Sequence, residues 1–133
     1  MRIEDIAIGQ ALPKLAIPIT VPLIAGGAIA TRDYFPGHHD LEAARALGSP
    51  HIFMNILTTS GLVQRFVEHW TGPEVEFKSV KIKLGAPNYP GDTMTFAGAV
   101  TAVDTAARAI EVALKGVNSM GNHVSGSARV RLR

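Results

Sequence analysis

The stretch FMNILTTSGLVQRFVEHWTG, residues 53–72, decides the fold. Met54, Leu57, Gly61, Leu62, Arg65, Phe66 and His69 recur at steps of three and four, and Val63, Val67 and Trp70 widen the apolar face. This periodicity predicts one long, well-buried helix, ended by Thr71-Gly72-Pro73. Everything beyond it changes period. VKIKL (80–84), AIEVAL (109–114) and ARVRL (128–132) alternate, and TMTFAGAVTAV (93–103) is extended and built from small residues. Turn signals separate the runs at GAPNYPGD (85–92), around Asp104-Thr105 and at NSMGN (118–122). Four strands with hairpin-length links predict a meandering antiparallel sheet.

Upstream, IPITVPLIAGGAIAT (17–31) combines β-branched residues with Pro18, Pro22 and Gly26-Gly27 and reads as an extended segment entering a strand, the glycines allowing a bulge or close approach. A polar loop follows at 32–39, and then LEAARALG (41–48), a short helix capped by Asp40 and ended by Gly48. The economical arrangement is one α+β domain spanning residues 1–133, with two layers and a curved sheet wrapped around the long helix.

Composition bounds the function. The 133 residues suffice for one core, and 47% hydrophobic against 18% charged is a globular balance. The absence of cysteine excludes disulfides, thiolate metal sites and a cysteine nucleophile, and agrees with a reducing compartment, so cytoplasm is the expectation. MRIEDIAIGQ carries acidic residues where a signal peptide has its apolar core, and no run reaches a membrane span. Thirteen Lys and Arg against eleven Asp and Glu are scattered rather than clustered, which argues against a nucleic-acid partner.

The chemistry concentrates in ATRDYFPGHHD, residues 30–40. An isolated Asp and His five residues apart most simply decorate a turn. Held rigidly on the same side of a loop by Pro36-Gly37, Asp33 and His38 could instead share one water, the imidazole taking a proton and the carboxylate orienting the water or carrying a second proton.

Asp33, Pro36, His38 and Asp40 stand in register with the signature of the MaoC-like enoyl-CoA hydratases of hot-dog fold, which this chain resembles over almost its whole length. The long helix after the signature, GAPNYPGDTMTFAGAVT (85–101) and the final NSMGNHVSGSARVRL (118–132) carry the likeness. ATRDYFPGHHD followed by HIFMNILTTSGLVQRFVEHWTGP resembles, more narrowly, the small MaoC-like subunits of actinobacterial hydratases acting on CoA thioesters of the shortened cholesterol side chain. The resemblance implies a hot-dog fold and a hydro-lyase that adds water to a trans-2-enoyl-CoA, with Asp33 and His38 as the catalytic pair. It implies no resident cofactor, since the substrate brings its own CoA. Its implied partner is another hot-dog protomer, either a second copy or a different MaoC-like subunit.

Two departures stand out. Phe35 replaces the usual Asn of the signature, so the loop must be held differently. Met54-Asn55 replaces the usual His-Gly at the start of the long helix, where the backbone N–H of Asn55 can still serve as the oxyanion donor. Two other functions compete: a non-catalytic subunit completing a partner's acyl-CoA pocket, and a thioesterase, against which Glu68 offers the long helix's only carboxylate, at its far end. His39, His51, His69 and His123 lack metal-ligand spacing and read as packed or solvated; no metal is expected. Ser60 lacks the preceding glycine of a hydrolase elbow, and Lys78, Lys81 and Lys83 read as a solvated strand face.

Overall fold

A computed structural model describes residues 1–133. Its strands are β1 (Leu15–Pro18), β2 (Glu76–Leu84), β3 (Thr93–Asp104), β4 (Ala109–Asn118) and β5 (Gly121–Arg131). They form one antiparallel sheet in the order β1-β3-β4-β5-β2. The helices are α1 (Val21–Ala30), α2 (Leu41–Ala46) and α3 (Ile56–Thr71). None of them is long and apolar enough to cross a membrane.

The long helix is where periodicity puts it, but its buried face is rotated. Thr58, Thr59, Leu62, Val63, Phe66 and Val67 are buried, whereas Leu57 is half exposed and Gly61, Arg65 and His69 face outward. Phe66 stacks on Phe96 of β3, centroids 5.2 Å apart, and both rings are fully buried. Gly98 and Gly116 make room for this pair: a Cβ on Gly98 would stand 3.2 Å from the Phe66 ring, and one on Gly116 would stand 3.1 Å from Phe96. Along β4, Ile110, Val112 and Leu114 alternate inward while Ala113, Lys115 and Val117 face out, so the sheet has one face on the helix.

The meander holds for β3-β4-β5 only. β2 lies beyond β5 and pairs with it from Glu76↔Arg131 to Leu84↔Val124, so residues 85–92 form a crossing rather than a hairpin. Side chains and backbone anchor that crossing. Asn118 Nδ2 donates to Asn88 Oδ1 and to the Pro87 carbonyl, both at 2.9 Å, and Gly85 N–H donates to the His123 carbonyl at 2.8 Å. Lys78, Lys81 and Lys83 are exposed on β2, a charged edge strand.

The second correction concerns residues 21–30, which form α1 and not a strand. Only Leu15–Pro18 is extended, pairing with β3. Thr20 Oγ1 accepts the Leu23 N–H at 3.1 Å as an N-cap, and Pro22 sits in the first turn, where its missing N–H costs nothing. Burial of Ile24 and Ala28 against the rest of the core then overrides the poor helix propensity of two glycines and the β-branched residues. The expected close approach at the glycines does occur, between helices: a Cβ on Gly27 would meet Thr58 Oγ1 of α3 at 2.2 Å.

Candidate active site

α1 ends by delivering a polar loop to the start of α3. Thr31 caps its C-terminus, and Arg32 adopts a left-handed conformation (φ 56°) of the kind usually given to glycine there. That turn lets Asp33 N–H donate to the Ala28 carbonyl at 2.9 Å and swings the Asp33 side chain back over the helix end. The loop therefore joins two helices, rather than a strand and a helix. A 3-10 turn at Pro36–His38 then reverses the chain, and Asp40 Oδ1 accepts the Ala43 N–H at 3.2 Å, the helix cap read from sequence.

The reversal brings His38 Nε2 to 3.3 Å from Asp33 Oδ2. His38 is buried, with its ring meeting Phe53 edge-on at 4.8 Å and Phe35 at 5.4 Å. Its Nδ1 lies 2.7 Å from the Phe53 carbonyl. A carbonyl only accepts, so Nδ1 carries a proton, and in the neutral ring Nε2 is the basic nitrogen, turned toward Asp33. Phe53 N–H in turn donates to the Gly37 carbonyl at 3.1 Å, clamping the loop onto the residues before α3. This answers the departure at Phe35: its ring packs on the imidazole, its N–H donates to Asp33 Oδ1 at 3.3 Å, and the loop is held by residues 53 and 55.

Asn55 is the N-cap of α3 and is almost fully buried. Its Oδ1 accepts the Thr58 N–H at 3.1 Å, and its Nδ2 donates to Thr31 Oγ1 and to Asp33 Oδ2, each at 3.0 Å. The Asn55 amide hydrogen bond, with smaller help from the Phe35 N–H and from His38 when that ring is protonated, holds the Asp33 carboxyl below the usual carboxylate range against the opposing effect of burial. No protein group accepts the backbone N–H of Asn55, which stands at the positive end of the α3 dipole. Asp33, His38 and Asn55, the three residues singled out from sequence, are thus brought together.

Sequence reasoning passed over Thr31, whose hydroxyl donates to the Gly27 carbonyl at 2.8 Å while accepting from Asn55. It also passed over the depth of His123. That ring is buried, with Nδ1 donating to the Ala86 carbonyl at 2.7 Å and Nε2 accepting from Thr59 Oγ1 at 2.8 Å; desolvation holds its pKa below the ordinary value. Nothing local marks either residue, because their partners lie across the fold or in a helix that reads as strand. His39 and His69 are exposed and His51 is half-buried. Glu68 is exposed, three residues from the end of α3, and the buried face of that helix carries no carboxylate. No cavity of the isolated chain is lined by Asp33, His38 or Asn55; His38 and Asn55 are buried and Asp33 is the partly exposed member of the group, near in sequence to the exposed Tyr34, Phe35, Ile56 and Leu57.

Comparison with known proteins identifies the family and the fold. Residues 5–121 match the family model described as MaoC like domain. The 3-oxo-4,17-pregnadiene-20-carboxyl-CoA hydratase beta subunit of Mycobacterium tuberculosis is 44% identical over 126 residues, covering 95% of this chain and 96% of that one. Among solved structures, the ChsH1-ChsH2 complex from Mycobacterium tuberculosis superposes with a TM-score of 0.91 at 43% identity, over 96% of this chain and 98% of that chain. The (R)-hydratase from A. caviae involved in PHA biosynthesis superposes at 0.89 over 98% and 99%, and at 19% identity it shows the shared hot-dog fold alone. With a family match across most of its length and a full-length relative at this identity, the chain belongs to the MaoC-like domain family.

Proposed function

We propose that this chain is a hydro-lyase subunit adding water across the double bond of a trans-2-enoyl-CoA, with Asp33 and His38 as the catalytic pair. The observation that carries this reading is the 3.3 Å approach of His38 Nε2 to an ionised, hydrogen-bonded Asp33, beside an unclaimed helix-start amide.

The residues divide the work as follows. Asn55 N–H donates to the thioester oxygen and stabilises the negative charge that develops there, a donor worth about 3 kcal/mol in the transition state. Asp33 accepts one hydrogen of the water and fixes its orientation. His38 Nε2 takes the other hydrogen as the water oxygen bonds to the β-carbon and the π electrons move to the thioester oxygen. The imidazolium then returns that proton to the α-carbon, so one water is consumed and the protein is unchanged. The thioester is the electron sink, and this sequence of steps calls for no resident cofactor.

The 44% identical relative is named for a pregnadiene carboxyl-CoA, which supports a polycyclic side-chain thioester as the acyl group. The partly exposed Asp33 and the likeness to a two-subunit complex support a second hot-dog subunit that closes the pocket; the proposed compartment is the cytoplasm, in keeping with a chain without cysteine. Purified chain, alone and with such a subunit, is to be mixed with a steroid-type enoyl-CoA while the conjugated thioester absorbance is followed. Wild type is expected to bleach the band, with Asp33→Ala and His38→Ala each slower by about a hundredfold or more. Bleaching that both variants sustain at the wild-type rate would remove the pair from catalysis.

A further inference from the structure

Asn55 does more than its backbone requires. Three of the four hydrogen-bonding positions of its side chain, including both N–H donors, are occupied, by Thr58 N–H, Thr31 Oγ1 and Asp33 Oδ2. These partners fix which end of the amide is which. Reversed, the NH2 group would face the Thr58 N–H and the carbonyl would face the Asp33 carboxylate, turning two attractions into two repulsions. Thr31 is itself tied down, donating to the Gly27 carbonyl, so the amide cannot swing away without breaking the end of α1 as well. Asp33 is only half-buried and sits after a left-handed turn, and its other side-chain partners are the Phe35 N–H at 3.3 Å and His38 at 3.3 Å. The 3.0 Å bond from Asn55 is its shortest.

We propose that the Asn55 side chain is the positioning residue of the catalytic pair, a clamp from the first turn of α3 that aims Asp33 Oδ2 at His38 Nε2 and keeps it an acceptor. The inference deepens the hydratase reading and rests on it for the word catalytic. The same residue joins the two halves of the site. Its main chain presents the donor for the thioester oxygen while its side chain holds the group that orients the water, so the distance between the two halves is set within one residue. His38 is the titratable group facing Asp33; the other elements packed around it offer Asn55, Thr31 and backbone amides.

Two substitutions separate this role from helix capping. Asn55→Ser and Asn55→Asp both keep a side-chain acceptor for the Thr58 N–H, since Ser, Asp and Asn cap helices about equally well. Neither can donate to Asp33 as the amide does, and Asn55→Asp adds a like charge beside it. Asn55→Ser is expected to melt near wild type at neutral pH, whereas Asn55→Asp, which buries a second carboxylate against Asp33, is expected to melt lower and is read through the Asp33 titration. Turnover should fall by roughly tenfold or more in Asn55→Ser, the cost of losing a charge-assisted hydrogen bond, and further in Asn55→Asp. The acidic limb of the pH–rate profile should move to higher pH in the same order. The side-chain carboxyl carbon resonance of Asp33, followed by NMR through a pH titration, should move with it, and that reading needs no turnover. If the wild-type complex hydrates no enoyl thioester, the hydratase reading fails, while the Asp33 titration still decides the clamp. Variants in which Asp33 titrates as in wild type, or which turn over at the wild-type rate, would overturn the inference.

Discussion

Alanine at Gly26 and at Gly27, neighbours in α1, should change stability in opposite directions. Gly26 is exposed and a Cβ there meets nothing within 4 Å, so Gly26→Ala gains the helix propensity difference of about 0.8–1.0 kcal/mol. For a chain of this size that corresponds to a rise in Tm of about 3–5 °C. At Gly27 the same gain meets a collision. The new Cβ would lie 2.2 Å from Thr58 Oγ1 and 2.8 Å from Thr58 Cγ2, so both branches of that side chain overlap it. Thr58 is buried and β-branched, with restricted χ1 in a helix, and the helices must separate instead. Overpacking of this kind costs about 1–3 kcal/mol, leaving a net loss of up to about 2 kcal/mol once the propensity gain is subtracted. The separation also pulls on Thr58 N–H, and through Asn55 on Asp33, so turnover should drop with stability. Thr58→Ala removes the colliding atoms together with a buried hydroxyl that has no partner, and should restore most of the loss in the double variant. Chemical denaturation of the two single variants, Thr58→Ala and the double variant supplies the cycle. Equal stabilities for Gly26→Ala and Gly27→Ala, or the absence of coupling to Thr58, would refute the packing described between α1 and α3.

Three further outcomes follow from the core and its buried polar groups. Phe66→Ala deletes one half of the buried Phe66–Phe96 stack and should cost about 3–5 kcal/mol by denaturant titration, enough to threaten folding. His123 is held neutral by burial, with its folded pKa below the unfolded value near 6.5, so the unfolded chain binds the extra proton; stability should fall as pH drops through about 6.5, and the fall should flatten in His123→Gln. Asp92 is held below the ordinary carboxylate range chiefly by the Ser119 hydroxyl at 2.7 Å, with backbone N–H groups of Thr93 and Ser119 adding to it. Its stabilising contribution is therefore full above about pH 4 and lost as pH falls through the lower folded pKa, so the stability gap between wild type and Asp92→Asn should be open at neutral pH and close in acid.

How far the sequence carries the account differs between its halves. Periodicity alone locates α3 and the four long strands, because each buries one face against the same core and its apolar spacing records that burial. The order of the strands is set by something the pattern does not encode. The alternation in β2 does not say whether it lies beside β3 or β5, and the 85–92 segment is carried across by bonds to distant residues, among them Asn118 to Asn88, His123 to Gly85 and Ile19 to Gly91 and Asp92. Residues 21–30 mislead for a related reason. Val21, Ile24 and Ile29 have strand-like propensity and the two glycines are poor helix formers, and the helix exists because Ile24 and Ala28 are buried while Gly27 allows close contact with Thr58, a residue thirty-one positions away. At the site, the pair Asp33 and His38 is legible because five residues of chain with Pro36-Gly37 nearly dictate the reversal. The reach of the Asn55 amide to Asp33 is not, since it joins two helix ends, one of which the sequence presents as a strand.

The central claim is that water adds at the β-carbon of an enoyl thioester held between Asp33, His38 and the start of α3. The measurement that tests it most directly is mass analysis of the products formed in heavy-oxygen water by the chain together with a second hot-dog subunit. The expected product is an intact 3-hydroxyacyl-CoA with the heavy oxygen in the new hydroxyl, lost in Asp33→Ala and His38→Ala. Free CoA together with heavy oxygen in a released carboxylate would contradict the claim, because that product marks attack at the thioester carbonyl.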